Sequence, residues 1–307
     1  MAPHVYLLRV FAAGPNGGNP LPVLVDGLGM SDKDMQAVAV THVHESGFVL
    51  PAPKNSDCDF EFRFWVPEHE MEMCGHATIG AVWLLEKLNR LPRDHLRILT
   101  KSGVVEANVS RSPKGTWIEI SQSQGVVETV ARPSDIDELL SVLGISRHEM
   151  APLPVQNSST SRVKTLIPLK SVDCLNSLRP QFHLIKELCE RVGSTGLYPY
   201  AVSDLANQIF EARQFPKSSG YNEDAATGIA ASALAYGILE NRLLNNTDKA
   251  IKVRQGWAMG HPSEITVRFR KQDGISRGCW IGGTAIQELG RICTLNYTPH
   301  TTLSSPF

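Results

Sequence analysis

The sequence predicts an α+β protein made of two similar halves, each a β-rich layer around one apolar helix. Three observations carry this. Met73-Cys74-Gly75-His76-Ala77-Thr78-Ile79-Gly80 and Glu223-Asp224-Ala225-Ala226-Thr227-Gly228-Ile229-Ala230 each put polar groups and glycine at a short turn. Each then runs into a stretch that is apolar almost all the way round, which only a buried helix tolerates. Strand-like runs outnumber helix-like ones on both sides of the middle. The first-turn N–H groups of such a helix point at whatever occupies the turn. One in each half sets an anion-friendly site between the copies.

Taken in order, Val5–Phe11, Leu21–Val25, Phe60–Val66 and Val104–Val109 read as strands of the first half. Lys164–Pro168, Ala201–Val202, Gln208–Phe215, Ile251–Arg254 and Glu264–Arg268 fill the second. Phe60-Glu61-Phe62-Arg63-Phe64 alternates apolar and charged, the period of a half-buried strand. Ser31–His42 reads as a helix with Ser31 as N-cap and Asp32 and Asp34 in its first turn. Ala77–Leu88 and Thr227–Leu239 are the two apolar helices, and Ser134–Leu143 and Gln181–Val192 are amphipathic and peripheral. The polar, proline-bearing stretch Ser110 to Pro133 reads as the linker. The halves are therefore set at residues 1–125 and 126–307, with room for the last strand or tail to return to the N-terminal half.

At 307 residues, 42% hydrophobic and 20% charged, the chain has the composition of a soluble globular protein with room for two cores. Thirty basic and 31 acidic residues leave a net charge of -1, with no basic stripe, so nucleic acid is not the expected partner. The longest uncharged apolar stretch, Ala225 to Leu239, is too short for a membrane span, and no signal peptide is visible. A cytoplasmic location follows as an expectation. Cys58, Cys74, Cys174, Cys189, Cys279 and Cys293 are scattered without a Cys-x-x-Cys pair and read as free thiols.

Glu45, in His42-Val43-His44-Glu45-Ser46-Gly47-Phe48, follows a helix and precedes an apolar run. Partial burial there raises a carboxyl's pKa and suits it to proton transfer near neutrality. Cys74 at a helix start reads either as a thiolate base, its pKa lowered by the helix, or as a small buried hydrophobe. His76 either meets a substrate carboxylate or proton, or caps its own helix. Asp224 is either an N-cap or a partner facing His76 across the cleft, with Thr227 and Gly228 offering backbone N–H groups. Asn19, in Gly14-Pro15-Asn16-Gly17-Gly18-Asn19-Pro20, binds substrate or braces a turn, and that segment lacks P-loop and dinucleotide spacing. Gln255, before Gly256, donates to a carboxylate or closes a hairpin. His42, His44 and His76 can be drawn as a three-histidine metal site if the first two share a strand face, but no ligand motif supports it and no metal is expected.

Together these segments resemble the phenazine-biosynthesis PhzF-like family, related to diaminopimelate epimerase and proline racemase. Gly18-Asn19-Pro20-Leu21 is similar to the family's opening turn, and Glu45-Ser46-Gly47-Phe48 to its Glu-Thr-Thr-Phe motif. Cys74-Gly75-His76-Ala77-Thr78 resembles its first helix start, and Asp224-Ala225-Ala226-Thr227-Gly228 its Asp-Pro-Ala-Thr-Gly. Gln255-Gly256 with Met259-Gly260 and Pro262-Ser263 resembles a later turn, and Ile281-Gly282-Gly283 its final strand.

The resemblance implies a diaminopimelate epimerase-like fold: two β-barrel-like halves, each wrapped around a central helix, with the active site between them. It implies cofactor-free proton transfer on a small carboxylate or amino-acid-like substrate, a place in secondary metabolism, and a homodimer. Carried over by position, Glu45 is the general acid/base, assisted by His76 and Asp224. Asn19, Ser46, Cys74, Gly75, Thr227, Gly228, Ile229 and Gln255 bind substrate. Ala225, Ile229, His261 and Gly47 depart from the family's usual Pro, Ser, Arg and Thr, and the apolar wall at Ile229 points away from the founding cyclohexadiene substrate. Racemases of the superfamily use one cysteine at each helix start, whereas Asp224 to Ile229 holds none. The expectation is thus an isomerase with one base. Its rivals are an epimerase or racemase opposing Cys74 to Glu45, and a non-catalytic small-ligand binder.

Overall fold

The structure, a computed structural model, describes residues 4–244, 247–272 and 275–294. The chain begins with β1 (His4–Val10), β2 (Asn19–Leu24), α1 (Asp32–His42), β3 (Ser46–Pro51), β4 (Phe60–Trp65) and β5 (Glu70–Met71). It continues through α2 (Gly75–Lys87), β6 (His95–Thr100), β7 (Gly103–Ser112), β8 (Gly115–Gln122), β9 (Val126–Thr129) and α3 (Pro133–Leu143). Next come β10 (Gln156–Ser159), β11 (Lys164–Leu169), α4 (Val172–Ser177), α5 (Phe182–Arg191), β12 (Gly196–Asp204) and β13 (Ile209–Ala212). It ends with β14 (Phe215–Pro216), α6 (Gly228–Glu240), β15 (Ile251–Gln255), β16 (Ser263–Gln272), β17 (Ile275–Gly283) and β18 (Ala285–Thr294).

One pairing series occurs twice. β2 and β3 are parallel across α1, β3 and β4 antiparallel, and β4 and β6 parallel across α2. Likewise β11 and β12 are parallel across α4 and α5, β12 and β13 antiparallel, and β13 and β15 parallel across α6. Parallel neighbours need a long crossover, and here each crossover is helical. The last strands then pair with the first part of the chain, β17 with β8 and β18 with β1.

Local chemistry explains the helices. Ser31 and Asp34 form a reciprocal capping box that starts α1, and Val43 ends it in the left-handed region at φ 57. Helices α2 and α6 have almost no exposed face, so packing stabilises them more than a solvated stripe could. Gly80 lets α2 approach the sheet closely: a Cβ there would lie 2.3 Å from Leu21 Cδ2. One continuous core holds α2 and α6 with the inward side chains of both sheet regions, and a second lies beneath α3, α4 and α5.

Several sequence expectations are corrected. Ser110 to Pro133 is not a linker, since it carries the end of β7 and all of β8 and β9. Thr116, Ile118 and Ile120 of β8 point inward while their neighbours are less buried, so its polar residues are one face of a strand. Gln208–Phe215 divides into β13 and β14, and Ala201–Val202 is part of the longer β12. Ile281 to Gly283 ends β17, and β18 follows it. His42 lies in α1 and Val43 turns sharply, so His42 and His44 do not share a strand face. The described cysteines Cys58, Cys74, Cys174, Cys189 and Cys279 are free, while the side chain of Cys293 lies outside the described residues. Among the described residues no helix is long and apolar enough to cross a membrane.

Candidate active site

Glu45 sits in the tight connection between the left-handed end of α1 and the start of β3. Its Oε2 lies 3.1 Å from Cys74 Sγ and 3.3 Å from His76 Nδ1, both at the start of α2. The thiol and the imidazole are themselves 3.3 Å apart. From the other half, Tyr221 donates its hydroxyl to Glu45 Oε1 at 3.4 Å. His76 is buried, and its Nε2 has no protein partner among the described residues.

Asp224 precedes α6 but is not its cap, a place taken by Thr227. Its carboxylate accepts from the Thr227 hydroxyl and, at 2.7 Å, from Asn19 Nδ2. Asn19 also donates to the Ala226 carbonyl at 2.9 Å. This asparagine therefore braces the Asp224 segment from the opposite half. Behind the segment, Gln255 Nε2 donates to the Asp224 carbonyl at 2.7 Å, and Gln255 Oε1 accepts from Tyr198 at 2.9 Å and from the Thr227 N–H at 3.3 Å.

The electrostatics follow from enclosure. Burial pushes the Asp224 carboxyl up to about 6, and the nearby Glu45 charge adds to the rise, against the Thr227 hydrogen bond. Burial also drives the Cys74 thiol well above its usual range, with Glu45 reinforcing it. A thiolate at Cys74 is thus replaced by a neutral thiol that donates to Glu45, because burial outweighs the helix terminus. Tyr221 is raised likewise by burial and by Glu45, and stays a donor.

The two helix starts meet in an inner cavity of about 50 Å³, lined by Glu45, Cys74, Gly75, His76 and Asp224 with Thr227, Gly228 and Ile229. An outer cavity of about 270 Å³ adjoins it and shares Glu45, Arg162 and Lys164 with it. A third hollow, about 370 Å³, lies beyond Asn19, Tyr221 and Asp224. Of the residues expected from sequence, two lie apart from these cavities. The Ser46 hydroxyl is buried and bonded to the His44 carbonyl at 3.2 Å, and Gln255 has its amide fully engaged behind Asp224. Both brace the site. Glu45, Cys74 and His76 also bring three ligand atoms within 4.8 Å of one another, a donor set that could hold a soft divalent cation.

Sequence reasoning missed Tyr221, Gln214, Arg162 and Lys164. Tyr221 lies in an irregular segment fixed by the part-buried Arg213–Glu223 pair, whose two contacts are both 2.8 Å, and no periodicity marks it. Lys164 did leave a signal: it is a charge at the head of a strand whose six residues are all buried.

The sequence model of the phenazine biosynthesis-like proteins, PhzC-PhzF, matches residues 8–290. The chain belongs to this family. A Clostridium acetobutylicum relative called an uncharacterized isomerase is 27% identical over 277 residues, covering 88% of this chain and 91% of that one. A PhzF-family protein from Bacillus anthracis superposes with a TM-score of 0.83 at 23% identity, over 94% of this chain and 97% of its own. A probable proline racemase from Agrobacterium radiobacter superposes at 0.64 with 12% identity, over 98% and 94%. The PhzF-like chain therefore has the α+β, diaminopimelate epimerase-like fold.

Proposed function

We propose that this PhzF-like protein is an isomerase moving a proton within a small carboxylate-bearing substrate, with Glu45 as both acid and base. The carrying observation is the Glu45 carboxylate, met by Cys74 and His76 from one half and by Tyr221 from the other. Relatives called isomerases support the class.

In this reading the substrate carboxylate lies at the starts of α2 and α6, against the backbone at Gly75, Gly228 and Ile229. Glu45 takes the proton from a carbon beside that carboxylate, and the electron pair moves onto the carboxylate oxygens. Helix-start N–H groups stabilise that charge as it forms. Glu45 then returns the proton to another carbon on the same face, shifting the double bond. The proton balance closes without a cofactor. His76 turns its free Nε2 to the substrate, and Asp224, with a pKa near 6, gives or accepts a hydrogen bond around neutrality.

An epimerase with Cys74 opposing Glu45 is disfavoured by the same geometry. Opposed bases must flank a carbon, and these two are hydrogen-bonded to each other at 3.1 Å. Glu45→Gln, nearly isosteric, is expected to lower turnover and solvent-deuterium exchange by at least about 100-fold with Tm unchanged. Near-wild-type turnover in that variant would refute the assignment.

A further inference from the structure

The proton transfer leaves two cations unused. Lys164 heads β11 with 5% of its surface exposed, and that remnant opens on the inner and outer cavities. Arg162, in the preceding loop, lines the same two cavities. Neither head makes an ion pair or a hydrogen bond among the described residues. The Gln214 side chain is 1% exposed and lines the inner cavity, and both its Oε1 and Nε2 lack partners.

The acids nearby are already engaged. Glu45 accepts from Cys74 and Tyr221, and Asp224 from Asn19 and Thr227. A buried ammonium without an acceptor is costly, so its retention asks for an anion that arrives with the ligand. Burial, with Arg162 adding to it, pushes Lys164 down to about 8, so it still carries its charge at neutral pH.

We propose that the substrate carries a second anionic group, bound by Lys164 and Arg162 with the Gln214 amide where the inner and outer cavities join. The inference rests on the isomerase reading for the place of the first carboxylate, and is independent of Glu45's role. Carboxylate and phosphate share the required chemistry, since both accept from an ammonium and, two oxygens at a time, from a guanidinium.

Calorimetric titration of the full chain at neutral pH with glutarate, butyrate and inorganic phosphate tests this. Wild type is expected to bind glutarate at least about 10-fold more tightly than butyrate, as a charge-assisted hydrogen bond implies. Lys164→Met should erase that preference and leave butyrate unchanged. Arg162→Gln, at a less buried position, should reduce it in part and serves as the readout if the Lys164 variant does not fold. Phosphate binding that is lost in Lys164→Met extends the class to phosphorylated substrates. Equal affinity for glutarate and butyrate in wild type, or a preference that survives Lys164→Met, overturns the proposal. Glu45→Gln should keep the preference. If that variant turns over normally while glutarate stays preferred, the Glu45 assignment falls and the anion subsite stands.

Discussion

Asp224 shows how one residue's surroundings set what the site can do. Its carboxyl is raised to about 6 from the ordinary 3.8 of an aspartate, so the folded chain holds this proton more tightly than the unfolded chain. The stabilising contribution is therefore full below the unfolded value and disappears as pH rises through the folded one. Asp224→Asn has no such proton to lose, keeps the hydrogen bond from Asn19 on its amide oxygen, and can turn its amide nitrogen to donate to the Thr227 hydroxyl. Comparing the two proteins by urea denaturation, the variant should gain on wild type by on the order of 3 kcal/mol between pH 4 and pH 7. A constant difference across that range would mean that burial does not govern this group. At this scale the sequence was legible where a side chain belongs to a turn that also starts a helix. His76 and Asp224 each flank such a turn, Glu45 was legible from the helix end and apolar run on either side of it, and all three line the inner cavity. Tyr221 and Arg162 were not legible, because irregular segments with no periodicity deliver them, and Gln214 was not, because within the strand-like run Gln208–Phe215 nothing marks its side chain as turned to the site. Of the two readings of Cys74 the sequence left open, the buried thiol is the one the structure has, because a helix start is visible in sequence while the depth of burial is not.

At the scale of elements, the turn from β15 to β16 carries more constraint than its length suggests. Gly256 adopts φ 79, and a Cβ there would lie 2.2 Å from the His261 carbonyl oxygen and 2.7 Å from that of Ala225. Both neighbours are backbone, so neither can step aside alone. Gly256→Ala combines a left-handed strain with this clash and should cost about 3 kcal/mol, read from urea midpoints. Because Ala225 follows Asp224, the variant should also lose activity beyond what its fraction unfolded explains. Activity that tracks only the folded fraction would show the Asp224 segment to be independent of this turn. The glycine's close approach was readable from Gln255-Gly256, as were the five longer helices, the Ser31 cap and the alternation of β4. The stretch from Ser110 to Pro133 was not, since a strand with one solvated face and a proline looks like a linker until its inward residues have a core to meet.

Across the whole molecule, two copies of one pairing series bring two helix starts to a common cavity, and few side-chain bridges fix their spacing. Asn19 is one, reaching from β2 to Asp224 at 2.7 Å and to the Ala226 carbonyl at 2.9 Å. The apolar helices made the duplication visible in sequence, but the bridges were not, because each joins residues more than 170 positions apart. Asn19→Ala removes a donor that favours the charged form of Asp224, so this carboxyl should protonate at a pH above the present value of about 6. It also frees the two helix starts to separate, which weakens any anion held between them. The expected result is a fall in kcat/KM of about 10-fold, as for loss of a positioning hydrogen bond, with the acid limb of its pH profile moved to higher pH. A plain loss of stability would lower activity without moving that limb. A profile of unchanged shape would therefore show that Asn19 holds the turn and nothing more, and that the halves keep their distance through the β8–β17 and β1–β18 pairings alone.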